Sequence, residues 1–206
     1  MDLETYLEML ASDAPTPGGG SAATVVVALG AALVAMVARI TRDNKKYATK
    51  TSFAEDLIAK ADAIRAQALN ARSGDEAAFD RVVAASALPR ANESERGKRT
   101  AELQAALAEA AAAPLRAAEL AADVAALAAR ALDLDNPHLM SDLGCAADFA
   151  AAGLSACATN VRVNYRYLKD RDLIARGEDK LQRLESATVP LIEQIRATTA
   201  RALTAP

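Results

Sequence analysis

Residues 22–38 read Ala-Ala-Thr-Val-Val-Val-Ala-Leu-Gly-Ala-Ala-Leu-Val-Ala-Met-Val-Ala without a single charge, and Arg39, Arg42, Lys45 and Lys46 follow directly. A helix that is apolar on every side is either a membrane span or the buried centre of a bundle. The run sits at the lower edge of the roughly 17–25 residues that cross hydrocarbon. Much of it is Ala and Gly, and no other stretch of the chain is comparably apolar. These features predict a buried central helix from Ser21 to Thr41, on which Ala28, Ala31, Ala32, Ala35 and Ala38 let neighbouring helices approach closely.

Around it, the pattern predicts a short helix over 3–11, a loop through Asp13-Ala-Pro-Thr-Pro-Gly-Gly-Gly, and a long helix over 51–87 that stops at Leu88-Pro89. Asn92 with Glu95 three residues later resembles a capping box and opens a helix running to Ala131, with a kink expected at Pro114. The turn at Asp133-Leu-Asp-Asn-Pro separates two further helices, 141–168 and 171–203, the last with an interruption expected near Gly177 or Pro190. No repeat or linker divides the chain, so residues 1–206 read as one helical domain.

Composition sharpens this into an all-α bundle of long helices. About a quarter of the chain is Ala, hydrophobic residues reach 52%, and aromatics are only 3%. Strands draw on β-branched and aromatic residues, whereas Ala is the best helix former. Ala on several faces of the helix over 93–131 either raises helix propensity in solvent or packs across a subunit boundary. The second reading predicts a homo-oligomer. A net charge of −3 leaves no basic face for nucleic acid. The N-terminus is neither a signal peptide nor an Arg-rich transit peptide, so the expected location is cytoplasmic, with no membrane or nucleic acid as partner. Cys145 and Cys157, on one helix and ~18 Å apart, are read as free thiols.

With one His and two distant Cys, the chain alone assembles no structural zinc site, and no metal is expected. No phosphate loop or dinucleotide fingerprint is present either. Chemistry therefore falls to carboxylates, Lys, Tyr and backbone. Pro15-Thr-Pro-Gly-Gly-Gly-Ser21 is the most unusual local sequence: Pro17 stiffens the entry, Gly18, Gly19 and Gly20 admit close approach of another molecule, and Ser21 is an expected N-cap. The uncapped N–H groups beyond it suit an anion or a carbonyl. Lys45, Lys46 and Tyr47 either complement the C-terminal end of the central helix or meet an acidic substrate. Asp75 lies in Ser73-Gly-Asp-Glu-Ala-Ala-Phe79, where the Ser-Gly pair suggests a kink or a close contact. On the helix from Ser141, residues Asp142, Phe149, Gly153, Asn160, Asn164 and Tyr167 fall within about 40° of one line. Asn160 and Asn164 on that face either bond neighbouring backbone or line a pocket. Ser141-Asp142 reads most simply as a helix cap, and Asp142 stands ~27 Å from Asn160.

Taken in order, Pro15-Thr-Pro-Gly-Gly-Gly-Ser21, Gly30-Ala-Ala-Leu-Val-Ala-Met-Val37, Lys45-Lys-Tyr47, Asp75 with Ala78-Phe79, Leu88-Pro89, Ser141-Asp-Leu-Gly144 and Asn160-Val161 with Asn164 resemble the cyclodeaminase/cyclohydrolase family of folate enzymes. The resemblance covers nearly the whole chain. It implies an all-helical homodimer acting at the N5–C–N10 centre of a tetrahydrofolate one-carbon derivative, with no cofactor beyond that substrate. It implies either hydrolysis of the 5,10-methenyl bridge to 10-formyl-tetrahydrofolate, the leading expectation, or ammonia-releasing closure of the 5-formimino derivative. A non-catalytic folate-binding module is the third reading. Asp75 matches the family's acid/base carboxylate. The glycine loop, Lys45, Lys46 and Tyr47 are implied folate contacts, and Ser141, Asp142 and Asn160 match motif positions. Ser73 stands where many relatives carry a second Asp, and His138 where they carry Asn. A folate would find few rings to stack on, so recognition is expected to lean on backbone and polar groups.

Overall fold

A computed structural model describes residues 2–204 as six α-helices, with no strand among the described residues. They are α1 (Leu3–Leu10), α2 (Gly19–Arg42), α3 (Thr51–Ser86), α4 (Glu93–Ala131), α5 (Met140–Tyr165) and α6 (Arg171–Thr204), with short 3-10 turns at Lys45–Lys50, Leu132–Leu134 and Pro137–Leu139. α2 is the axis of the bundle. It is long and apolar enough to cross a membrane, but 13 of its 24 residues are buried and it packs against α3, α4 and α5. Small residues make this packing close. A Cβ on Gly153 of α5 would stand 2.6 Å from Val27 Cγ2, and one on Gly30 would stand 3.0 Å from Val124 Cγ1 and 3.3 Å from the Ala146 carbonyl. Gly19 faces Asn160 and Gly30 faces Ala146, so α2 and α5 run antiparallel. Val27, Val34, Leu57, Leu143, Leu181 and Ile195 are among the fully buried side chains, each stabilising the fold by about 1.5–3 kcal/mol.

Helix ends follow local chemistry. Asp2 caps α1 by accepting from Thr5 N–H at 2.9 Å. Asn92 caps α4 by accepting from Glu95 N–H at 2.9 Å, while Glu95 reaches back to the Ala91 N–H at 2.7 Å. Several expectations change. α3 continues through Ser73-Gly74 with open space beside Gly74, so the pair marks neither a break nor a close contact. α4 runs through Pro114, and α6 through Gly177 and Pro190; packing along their length outweighs the local cost. α5 ends at Tyr165 rather than 168. Ser21 is not the cap of α2. That position falls to Gly18, which has no side chain to offer, and Ser21 lies inside the first turn.

One face of α2 stays uncovered in the single chain. Leu29 and Ile40 are 48% and 47% exposed, and Val25, Val26, Leu33 and Met36 on the same side are only partly covered. Phe149, Ala152 and Val163 of neighbouring α5 are likewise incompletely buried.

Candidate active site

At the N-terminus of α2, a Cβ on Gly20 would lie 2.7 Å from Asp75 Cγ, and one on Gly19 would lie 3.8 Å from Asn160 Nδ2. The glycines therefore bring the loop backbone against α3 and α5 together, which any side chain at Gly20 forbids. Because Gly18 provides no side-chain cap, the first-turn N–H groups are left to other partners. The Asp75 carboxylate lies against that first turn, where the Ser21 backbone favours its ionised form.

Beside this junction opens a cavity of about 360 Å³, within the roughly 300–1,000 Å³ range of small-molecule sites. Each bordering helix contributes a stripe at helical spacing: Asp75, Phe79 and Val82 from α3, Leu107 and Ala110 from α4, and Asn160, Val163 and Asn164 from α5. Tyr167 adds a wall from just beyond α5. Its carbonyl accepts from Gln104 Nε2 at 3.1 Å, and Gln104 Oε1 accepts from Lys169 N–H at 2.7 Å, tying this turn to α4. A wider groove of about 580 Å³ between α3, α4 and α6 holds Arg116, Glu119 and Asp123, but Glu119 is paired with Lys180 and no glycine backbone reaches it.

Within this cavity, Asp75 is the ionisable side chain whose electrostatics are shifted by its surroundings. Burial raises its carboxyl above the ordinary range, the neighbouring Glu76 charge adds to this, and the Ser21 backbone pulls it back. Asp75 is thus biased toward holding a proton. Glu76 is fixed from below: Ser21 Oγ donates to Glu76 Oε1 at 3.1 Å and lies 3.0 Å from Tyr6 Oη, while the Arg72 guanidinium sits 5.3 Å from the Tyr6 ring centroid. The Cys157 thiol is pushed up to about 12 by burial, with the Asp75 charge adding to it. It remains a neutral packing group.

Residues singled out in the sequence fall into two places. Gly18, Gly19, Gly20, Asp75 and Asn160 meet at the cavity. Pro17 is buried behind the loop and Ser21 beneath it, so both support the wall instead of lining it. Lys45, Lys46 and Tyr47 lie past the other end of α2, ~36 Å away along the helix. Ser141 and Asp142 open α5 near that same far end, with Leu139 at the cap position. One chain does not assemble the two groups into one site, because α2 separates them. Lys45 and Lys46 are exposed there, and Tyr47 is buried with its hydroxyl unpartnered.

A family model described as formiminotransferase-cyclodeaminase matches residues 2–183. The chain belongs to this family. The chain is 39% identical over 183 residues to a methenyltetrahydrofolate cyclohydrolase of Methylorubrum extorquens, a match covering 89% of this chain and 86% of that one. It is 32% identical over 168 residues to the formimidoyltransferase-cyclodeaminase of Rattus norvegicus, covering 82% of this chain but 31% of that longer protein. Its fold superposes on the crystal structure of formiminotetrahydrofolate cyclodeaminase from Thermotoga maritima with a TM-score of 0.89, 27% identity and 98% of each chain covered.

Within this family framework, the structure adds site residues to those expected from the sequence. Phe79 and Tyr167, 40% and 63% exposed, both line the cavity. Aromatics are scarce in the chain, but two of the seven stand at the cavity. Phe79 lies one turn beyond Asp75, a spacing that would have revealed it. Tyr6 and Glu76 carry no such signal, since their roles depend on the docking of α1 beneath α2.

Proposed function

We propose that this protein is a folate one-carbon enzyme that hydrolyses the 5,10-methenyl bridge of tetrahydrofolate to the 10-formyl derivative. The observation that carries the reading is the half-buried Asp75 carboxylate held against Gly20 in a cavity of substrate size. In the reaction, water oxygen adds to the methenyl carbon while Asp75 accepts a water proton. The carbon–N5 bond then breaks as Asp75 returns the proton to N5 and the new hydroxyl gives up its own proton to solvent, leaving the formyl group on N10. A carboxylate with a raised pKa suits the first step, because it is a stronger base toward water than an ordinary carboxylate.

The 86% coverage of the Methylorubrum cyclohydrolase favours this reaction. The second reading, closure of 5-formimino-tetrahydrofolate with loss of ammonia, is favoured by the Thermotoga structure and asks Asp75 to protonate the leaving amine. Incubation with each substrate separates them. The methenyl absorbance falls faster than its uncatalysed rate in the first case, and rises with release of ammonia in the second.

The homodimer belongs to the same proposal. The uncovered apolar faces of α2 and α5 support it, since a contiguous apolar surface of this kind is characteristic of an interface. If two copies meet with their α2 helices antiparallel about a two-fold axis, Lys45, Lys46 and Tyr47 of the partner subunit come beside the cavity. That arrangement reunites the two groups of site residues.

A further inference from the structure

Three hydrogen bonds decide which atoms the cavity presents to a ligand. Asn164 Nδ2 donates to the Ala110 carbonyl at 3.0 Å and to the Asn160 carbonyl at 3.0 Å, and Asn160 Nδ2 donates to the Ala156 carbonyl at 2.9 Å. Carbonyl oxygens only accept, so neither amide can be turned round. Each side-chain oxygen is left without a donor among the described residues, at the cavity wall. The Ala110 carbonyl is available because the residue four positions on is Pro114, which has no N–H to close the helical bond. The proline in α4 thus creates the acceptor that holds Asn164.

The α5 wall is correspondingly rich in acceptors. Asn160 and Asn164 offer their side-chain oxygens, Asp75 adds another when ionised, and no Lys, Arg or His lines the cavity, where the side-chain donors are the second N–H of Asn160 and the Thr16 and Tyr167 hydroxyls. A ligand in this space is selected for N–H donors on a flat ring that fits against Phe79 and Tyr167, and its carboxylates are left outside. Within a tetrahydrofolate, the part that carries such donors is the pterin, through its exocyclic amine and ring N–H groups.

Resting on the folate reading above, we propose that Asn160 and Asn164 are specificity-determining residues that accept hydrogen bonds from pterin N–H groups, and that Pro114 is a positioning residue that orients Asn164 through Ala110. A site built to receive a donor discriminates against a ligand that lacks it, because its acceptor is left unpaired.

The test compares tetrahydrofolate with its 2-desamino-2-methyl analogue by calorimetry, on the full chain under reducing conditions. The wild type is expected to bind tetrahydrofolate about tenfold more tightly than the analogue. Asn160→Ala and Asn164→Ala are expected to weaken tetrahydrofolate while leaving the analogue nearly unchanged, which erases the preference. Pro114→Ala, whose restored N–H competes for the Ala110 carbonyl, is expected to reduce it. Asn160→Ala loses only a bond within its own helix, so it reports even if Asn164→Ala folds poorly. Equal weakening of both ligands in Asn160→Ala, or a wild type without preference, overturns the assignment of the amides. A full preference in Pro114→Ala overturns its positioning role. Failure of the wild type to bind either ligand overturns the folate reading itself.

Discussion

The backbone of Gly20 lies against the carboxylate of Asp75 so closely that a Cβ on the glycine would stand 2.7 Å from Asp75 Cγ. Gly20→Ala therefore has to push Asp75 out of the cavity or the loop away from α3. A displacement of about 1 Å at a reacting group costs on the order of 100-fold in rate, so turnover in either folate assay should fall by at least that much. Gly19→Ala is the control, since its Cβ meets Asn160 at an ordinary 3.8 Å; it should retain turnover within a few-fold. Equal rates for the two variants would show that the close approach is incidental.

Asp75→Asn should abolish most turnover yet make the fold more stable at neutral pH. The carboxyl of Asp75 is raised above its ordinary range by burial, so the folded chain holds this proton more tightly than the unfolded chain does. Its contribution to stability is fully present below the unfolded carboxyl range and is lost as pH rises through the raised folded value. At neutral pH, ionised Asp75 is therefore a cost, which the neutral amide removes. Thermal melts at neutral and acidic pH check this: the gain from the substitution should appear at neutral pH and shrink in acid.

Glu76→Gln keeps an acceptor for Ser21 but removes the charge that helps hold Asp75 protonated. The limb of the pH–rate profile set by Asp75 should move to lower pH, with the melting temperature nearly unchanged. An unmoved limb would mean that burial alone tunes the carboxyl.

Two glycines on helices should respond in opposite ways to Ala. Gly97 has open space around it, and an exposed Gly→Ala in a helix gains roughly 0.5–1 kcal/mol. At Gly153 the same gain is set against overpacking on Val27, whose Cγ2 would be 2.6 Å away, at a cost of about 1–3 kcal/mol. Denaturant midpoints should rise for Gly97→Ala and fall for Gly153→Ala.

Sedimentation should find a dimer that Leu29→Asp converts to a monomer, because the substitution places a charge on the uncovered face of α2. Mixing inactive Asp75→Asn chains with inactive Lys45→Ala/Lys46→Ala chains should restore part of the activity, since one site in each mixed dimer is then intact. No recovery after subunit exchange would place the lysines outside the site.

Much of the architecture was legible in the chain because long helices rich in Ala leave few alternatives, and α2 declares itself by lacking charge over residues 22–38. The site was only partly legible. Asp75, the glycines and Asn160 could be singled out, but nothing in the order of residues says that Lys45 and Ser141 stand a full helix length away. Ser21 illustrates the remaining difficulty. As a sequence feature it is a cap, yet the backbone enters α2 earlier, at Gly18, and the hydroxyl becomes a link between Tyr6 and Glu76. In the sequence Pro114 signals only a kink, because a proline's effect on its own helix is local, whereas its effect on Asn164 depends on which helix lies alongside.

The placement of α2 at the axis also sets a problem of biosynthesis. This helix leaves the ribosome second, but one of the walls that cover it, α5, is made only after α3 and α4. Until then the growing chain carries its most apolar segment without complete cover, in the exposed state that promotes aggregation. Chains that stop before Met140 should accordingly collect in the insoluble fraction, and those that extend through Tyr165 should not.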